Sequence, residues 1–155
     1  MTLELVTGNE ATGQASSARS RGRAQPVDFL GNFSVADHAR IRAVARLREL
    51  LPGDCLYDQG AVATAAFLVT GGEATVIVRG KPVAEIAAGA IVGDADVLGR
   101  HPYRSRVEAR TPMTVWQIDA ADLDRLLVSA PTFARALARD LGRRLRAAEL
   151  SLAAG

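Results

Sequence analysis

Ala66-Phe67-Leu68-Val69-Thr70-Gly71-Gly72-Glu73-Ala74-Thr75-Val76-Ile77-Val78-Arg79 reads as two short β-rich runs around a glycine pair. In the second run Ala74, Val76 and Val78 face one way while Thr75, Ile77 and Arg79 face the other, which is the two-residue period of a strand. Gly71-Gly72 reads as a hairpin turn, and Gly80-Lys81-Pro82 as a second one leading into a run over Val83 to Ile86. Further out, Arg106 to Glu108 and Met113 to Ile118 repeat the pattern. Short strands at this spacing across residues 54–118 indicate a small barrel or jelly roll.

Helical signals flank the β-region. Ser34 is a suitable N-cap, and Ile41, Val44 and Ala45 keep helical spacing within a stretch from Val35 to Leu51, which Pro52-Gly53 breaks. Phe29, Leu30 and Phe33 form an apolar knot just before it. Residues 1–27 carry no periodicity; Thr7 to Gln25 is rich in Gly, Ser, Ala and Arg, so a disordered tail is expected, with Arg19, Arg21 and Arg23 as a small basic cluster. The domain is expected over residues 28–155. On the C-terminal side Asp119 is placed to cap a helix running through Leu127, and Pro131 starts the last helix. There Phe133, Leu137, Leu141, Leu145, Ala148 and Leu152 recur every three or four residues. The first half of that stripe is expected to pack on the barrel and the second to pair with a second copy of the chain. Arg135, Arg139, Arg143 and Arg146 lie mostly off the stripe, as a solvated face does.

The 155 residues suit one domain, and 48% hydrophobic against 23% charged residues suffices for a folded core. No apolar run approaches the ~18 residues of a membrane span. A net charge of +2 is too weak to imply nucleic acid. Cys55 is the single cysteine and His38 and His101 the two histidines, which excludes an internal disulfide and leaves too few ligands for a structural zinc or an iron–sulfur centre. Glu4 and Glu10 interrupt any signal-peptide pattern, so a cytoplasmic location is expected. No nucleophile elbow and no Walker A loop occurs, and Asp94 and Asp96 lie too close in sequence to face each other as an acid–base pair. Neither a catalytic residue nor a cofactor nor a metal ligand is expected.

Several motifs, in order, resemble those of the cyclic-nucleotide-binding domain family. Leu51-Pro52-Gly53-Asp54-Cys55-Leu56-Tyr57-Asp58-Gln59-Gly60 is similar to its opening, and Phe67 through Val76 to its strand–glycine–strand hairpin. Ala88-Gly89-Ala90-Ile91-Val92-Gly93-Asp94 resembles the approach to the phosphate-binding cassette. Val115-Trp116-Gln117-Ile118-Asp119, followed by Leu123 and Leu126-Leu127, resembles the exit into the closing helices, and Leu141-Gly142-Arg143-Arg144-Leu145-Arg146 the long dimer helix of the catabolite-activator branch. The likeness runs over residues 28–152, about four-fifths of the chain. It implies a mainly β fold, a β-roll (double-stranded jelly-roll barrel) with an N-terminal helix, a short cassette helix and two C-terminal helices.

The resemblance also implies a non-catalytic, anion-binding pocket. A cyclic phosphate needs N–H donors and an Arg fork, and the ribose hydroxyl needs a carboxylate acceptor. Val92, Gly93, Asp94, Ala95, Tyr103, Arg104 and Ser105 are the expected ligand-binding residues. Gly93-Asp94 stands where the family has Gly-Glu, and Asp96 adds a second acid. Aligning backwards from Val107, Ala109 and Thr111 puts Tyr103 at the family's Arg position; aligning on the Arg-Ser pair puts Arg104 and Ser105 there. Arg100 and Arg106 are lesser candidates. Ala148-Glu149 stands where the catabolite-activator branch has a base-contacting Thr-Ser pair, with Ser151 on a different helical face. The family's transcription factors continue into a helix-turn-helix, whereas this sequence stops at Gly155, so direct DNA binding is not expected. Two functions follow. One is a stand-alone regulatory module binding cAMP, cGMP or a related anion in a degenerate pocket and drawing the cassette and last helix together. The other is a dimerisation or protein-docking unit, a homodimer through the C-terminal helix, whose pocket no longer works.

Overall fold

The computed structural model describes Phe29 and residues 33–154. The expected tail at 1–27, its basic cluster and Leu30 lie outside the described residues. Helix α1 (Val35–Val44) starts as expected, with the Ser34 side chain accepting from the Asp37 N–H. It ends seven residues before the expected Leu51. Ala45 turns extended (φ −75°, ψ 145°), and β1 (Arg46–Leu50) follows. The helical pattern expected to run on to Leu51 is overridden by a ladder in which Arg46 pairs with Gln117 and Leu50 with Met113.

The other strands are β2 (Cys55–Tyr57), β3 (Ala65–Gly71), β4 (Glu73–Val78), β5 (Lys81–Ala87), β6 (Ile91–Val92), β7 (Arg106–Ala109) and β8 (Met113–Asp119). Between them and after them lie helices α2 (Asp94–Gly99), α3 (Ala120–Ser129) and α4 (Pro131–Ala154). Two antiparallel four-stranded sheets, ordered β1-β8-β3-β6 and β2-β7-β4-β5, face each other. The result is a mainly β roll with a helix before it, a short helix inside it and two helices after it, as the sequence leads one to expect.

Strand β3 shows why the roll closes. Ala65 to Val69 are all buried, yet they serve two cores. Ala66 and Leu68 pack with Ile41, Ile118, Leu123 and Phe133 under the helices, whereas Ala65, Phe67 and Val69 pack with Leu56, Val107 and Val115 inside the roll. A strand covered on both faces reads as an unbroken apolar run.

Two turn assignments differ from expectation. Gly71-Gly72 is not a hairpin, because β3 and β4 belong to different sheets. The pair carries the chain across, with Gly72 at φ +83°, where a Cβ would press on the Pro112 carbonyl and the Met113 Cα. The β4–β5 hairpin is real, but its two-residue turn is Arg79-Gly80 (φ +51° and +78°), and Lys81 already pairs with Val78.

Asp119 occupies the N-cap position of α3 without a side-chain cap bond. Its carboxylate instead holds Arg46 at 2.8 and 2.9 Å and Gln117 at 3.0 Å. Helix α4 starts at Pro131 and is seated by Asp37 of α1, which is buried and accepts from the Thr132 and Phe133 N–H groups, from the Thr132 hydroxyl and from Arg40. Phe133, Ala136 and Leu137 are buried, while every residue from Gly142 to Ala154 is exposed. Phe29, Phe33 and Phe133 meet edge to face at 5.6–5.8 Å, which realises the described part of the apolar knot. Among the described residues no helix is long and apolar enough to cross a membrane.

Candidate functional site

A cavity of about 710 Å³ opens between the inner face of β4–β5, the β6–α2 turn and α4. Val76, Val78 and Ile86 make its apolar wall. The other wall is built by a sharp entry into α2. Gly93 has φ +77°, and a Cβ there would stand 3.1 Å from the Ala65 carbonyl and 3.2 Å from the Tyr103 ring. That close approach turns the chain so that Asp94 and Asp96 both go inward, to 0% and 6% exposure.

The two acids are held differently. Asp96 accepts from the Arg104 Nε at 2.9 Å and from the Arg104 backbone N–H at 3.2 Å, which fastens the loop before β7 to α2. Asp94 Oδ2 lies 2.6 Å from Arg144 Nη2 of α4, while its buried Oδ1 has no protein hydrogen-bond donor among the described residues. Burial pushes the Asp94 carboxyl above its ordinary value, and the Arg144 hydrogen bond and charge pull the other way. Arg144 also reaches Asp140 of its own helix at 2.8 Å.

Val92, Gly93, Asp94, Ala95, Arg104 and Ser105 all border the cavity. Tyr103 is not among its lining residues. Its ring stacks on Tyr57 with centroids 4.0 Å apart, and its hydroxyl is engaged with the backbone of Ala65. Of the two alignments, then, it is the Arg-Ser pair that stands at the cavity and Tyr103 that stands behind it. Tyr57 does line the cavity; burial pushes its hydroxyl up to about 12. Arg106 is turned to Asp58 and Glu108, and Arg100 borders a smaller cavity beside His101. Ala148 and Glu149 are exposed on α4, and Ala147 lines the cavity instead.

Asp140, Arg143 and Arg144 line the cavity without having been expected there. The spacing of Asp140 to Arg144 marks a helical ion pair, but the sequence does not say which Arg of α4 faces α2. Each cavity arginine lies near a carboxylate: Arg104 on Asp96, Arg144 on Asp94 and Asp140, Arg143 at 3.6 Å from Asp140. Among the described residues no group of three or more His, Cys, Asp or Glu could hold a metal ion.

Solved structures share this architecture. The crystal structure of the Thermus thermophilus Catabolite Activator Protein superposes with a TM-score of 0.73 at 21% identity, over 81% of this chain and 62% of that one. The N-terminal domain of a transcriptional regulator from Streptomyces coelicolor A3(2) does so with 0.64 at 23% identity, over 79% and 91%. The regulatory subunit of a cAMP-independent protein kinase A from Trypanosoma brucei gives 0.64 at 20% identity, over 72% and 42%. The chain thus spans less than two thirds of the first and third of these proteins. No curated protein sequence matches it significantly. The family model of the cyclic nucleotide-binding domain matches residues 47–130, which takes in the roll, α2 and α3. On that match the chain belongs to the cyclic nucleotide-binding domain family.

Proposed function

We propose that the chain is a non-catalytic regulatory module that takes a cyclic nucleotide, cAMP or cGMP, or a related anionic ligand in this cavity and passes its occupancy to a partner through α4. The observation that carries this reading is the cavity itself, which is bordered at once by the cassette residues Gly93, Asp94 and Ala95, by Arg104-Ser105 and by α4. The apolar wall of Val76, Val78 and Ile86 suits a base, and Asp94 is an acceptor for a ribose hydroxyl. Arg104 is the cation for the phosphate. Its side chain is 75% exposed, so it needs only to swing off Asp96. The pocket is degenerate in that these cations already have carboxylate partners. The family relation supports a regulatory role rather than an enzymatic one.

Thermal unfolding with and without millimolar cAMP, cGMP and cyclic di-GMP tests the reading. A ligand at about 100 times its dissociation constant adds about 2.7 kcal/mol and raises the midpoint by a few degrees. No shift with any of them removes these ligands from the function.

A second reading rests on α4. Leu145, Leu150 and Leu152 are exposed there, at 61, 58 and 82%. Leu145 and Leu152 share one face, and that exposed apolar face fits a homodimer or a protein partner held by α4. Analytical ultracentrifugation tests it: a dimer that Leu145→Glu dissociates supports the reading, and a monomer at all concentrations removes the homodimer.

A further inference from the structure

Tyr57 reaches the cavity through an irregularity in its strand. Between β2 and β7 the register slips: Cys55 faces Glu108 and Tyr57 faces Val107, so two steps along β2 match one along β7. Regular alternation would turn Tyr57 away from the face that Leu56 uses. The bulge instead lets both side chains pack on the core of the roll. There the Tyr57 ring stacks on Phe67, with centroids 5.8 Å apart, and on Tyr103 at 4.0 Å. Tyr103 is itself pinned to the backbone of Ala65, so the stack is anchored.

The hydroxyl end of Tyr57 lies at the cassette. A Cβ on Gly93 would stand 3.5 Å from Tyr57 Cε2, the atom next to the carbon that bears the hydroxyl. Tyr57 borders the cavity together with Gly93, Arg104 and Ser105. The Ser105 hydroxyl donates to the Tyr57 oxygen, which leaves the phenol proton for the cavity. Burial first, and the carboxylates Asp96 and Asp94 with it, keep that proton on the oxygen at neutral pH.

We infer that the Tyr57 hydroxyl is a ligand contact, which donates to the anionic group of the ligand beside the Arg104-Ser105 pair. The inference rests on the ligand-binding reading above and adds to it the donor that the cavity offers without rearrangement. Arg104 brings its charge to a phosphate only after it leaves Asp96. The phenol stands ready on a ring that the stack already holds in place. A hydrogen bond from such a donor to a charged oxygen is of the stronger kind.

Calorimetric titration of the full chain with cAMP and with adenosine, which lacks the phosphate, tests the contact; cGMP and guanosine form a second pair. Tyr57→Phe keeps the ring and its stacking and removes the hydroxyl alone. It should bind the cyclic nucleotide about tenfold more weakly than the wild type and the nucleoside equally well. Unchanged affinity for the cyclic nucleotide overturns the contact. Equal weakening for nucleotide and nucleoside also overturns it, because the hydroxyl then acts on the shape of the cavity and not on the anion. If the wild type binds neither cyclic nucleotide, the ligand-binding reading falls and the contact with it, whereas wild-type binding that Tyr57→Phe leaves intact removes the contact alone.

Discussion

The Tyr103 hydroxyl closes on both backbone polar groups of Ala65: it donates to the carbonyl at 2.6 Å and accepts from the N–H at 3.1 Å. Ala65 starts β3, the strand buried on both faces, and Tyr103 sits in the loop that carries Arg104 and Ser105 to the cavity. One phenol thus fixes the loop to the core and closes the account of a buried backbone pair.

Tyr103→Phe keeps the stacking on Tyr57 but leaves the Ala65 groups unpaired at 1% exposure. The expected loss is about 1–3 kcal/mol, read from urea unfolding. Unchanged stability would show that solvent or a backbone shift satisfies Ala65.

Removing either side of the Asp94–Arg144 pair has unequal effects. Arg144→Gln leaves a fully buried carboxylate and should cost about 2 kcal/mol at pH 7. That is below the ~3–5 kcal/mol of a wholly buried pair, because Arg144 is part exposed. Asp94→Asn leaves Arg144 with Asp140 and should cost less. The folded Asp94 carboxyl lies above its ordinary 3.8, so the native state binds its proton more tightly than the unfolded chain. Stability therefore falls as pH rises from the ordinary value through the raised one. Without Arg144 to oppose burial, the shift grows. Urea unfolding from pH 4 to 7.5 should show the Arg144→Gln deficit shrinking toward acid; a deficit independent of pH would argue against this origin.

Asp37 behaves in the opposite sense. The Thr132 hydroxyl first, then the Thr132 and Phe133 N–H groups and Arg40, hold its carboxyl below the ordinary 3.8 against the opposing effect of burial. It therefore contributes stability that is present above 3.8 and is lost as pH falls through the folded value. Asp37→Asn should lower the unfolding midpoint at pH 7, and the gap to the wild type should close in strong acid. A gap that persists there would mean that Asp37 acts through packing rather than charge.

Two glycines in the left-handed region should respond differently to alanine. At Gly80 a Cβ meets nothing within 4 Å, so only the backbone penalty of ~1–2 kcal/mol applies. At Gly72 it would also press on the Pro112 carbonyl and the Met113 Cα, both backbone and unable to yield cheaply. Gly72→Ala should be the more destabilised of the two in parallel urea titrations; equal effects would mean that the crossing from β3 to β4 can shift.

The sequence was sufficient for what depends on neighbours in the chain. The Ser34 cap, the Pro131 start of α4, the alternation along β4 and the unbroken apolar run of β3 are set by side-chain chemistry and spacing within a few residues. The order of short strands was legible for the same reason, and the turn into Asp94 through the family resemblance of Ala88 to Asp94. Tertiary structure decided what depends on partners far away in sequence. Arg46–Leu50 carries a helix-compatible spacing yet is a strand, because β8 offers it a ladder and Asp119 an ion pair. Gly71-Gly72 looks like a hairpin locally yet crosses between sheets, because β3 pairs with β8 and β4 with β7. Tyr103 and Arg104 are adjacent, and their split between core and cavity follows from the packing around Tyr57 and Ala65. In the sequence Asp140 stands at helical spacing from both Arg143 and Arg144, and nothing local says which of the two turns to α2. The packing of α4, whose start is held by Asp37 and whose Phe133 is buried, brings Arg144 to the buried carboxylate of Asp94.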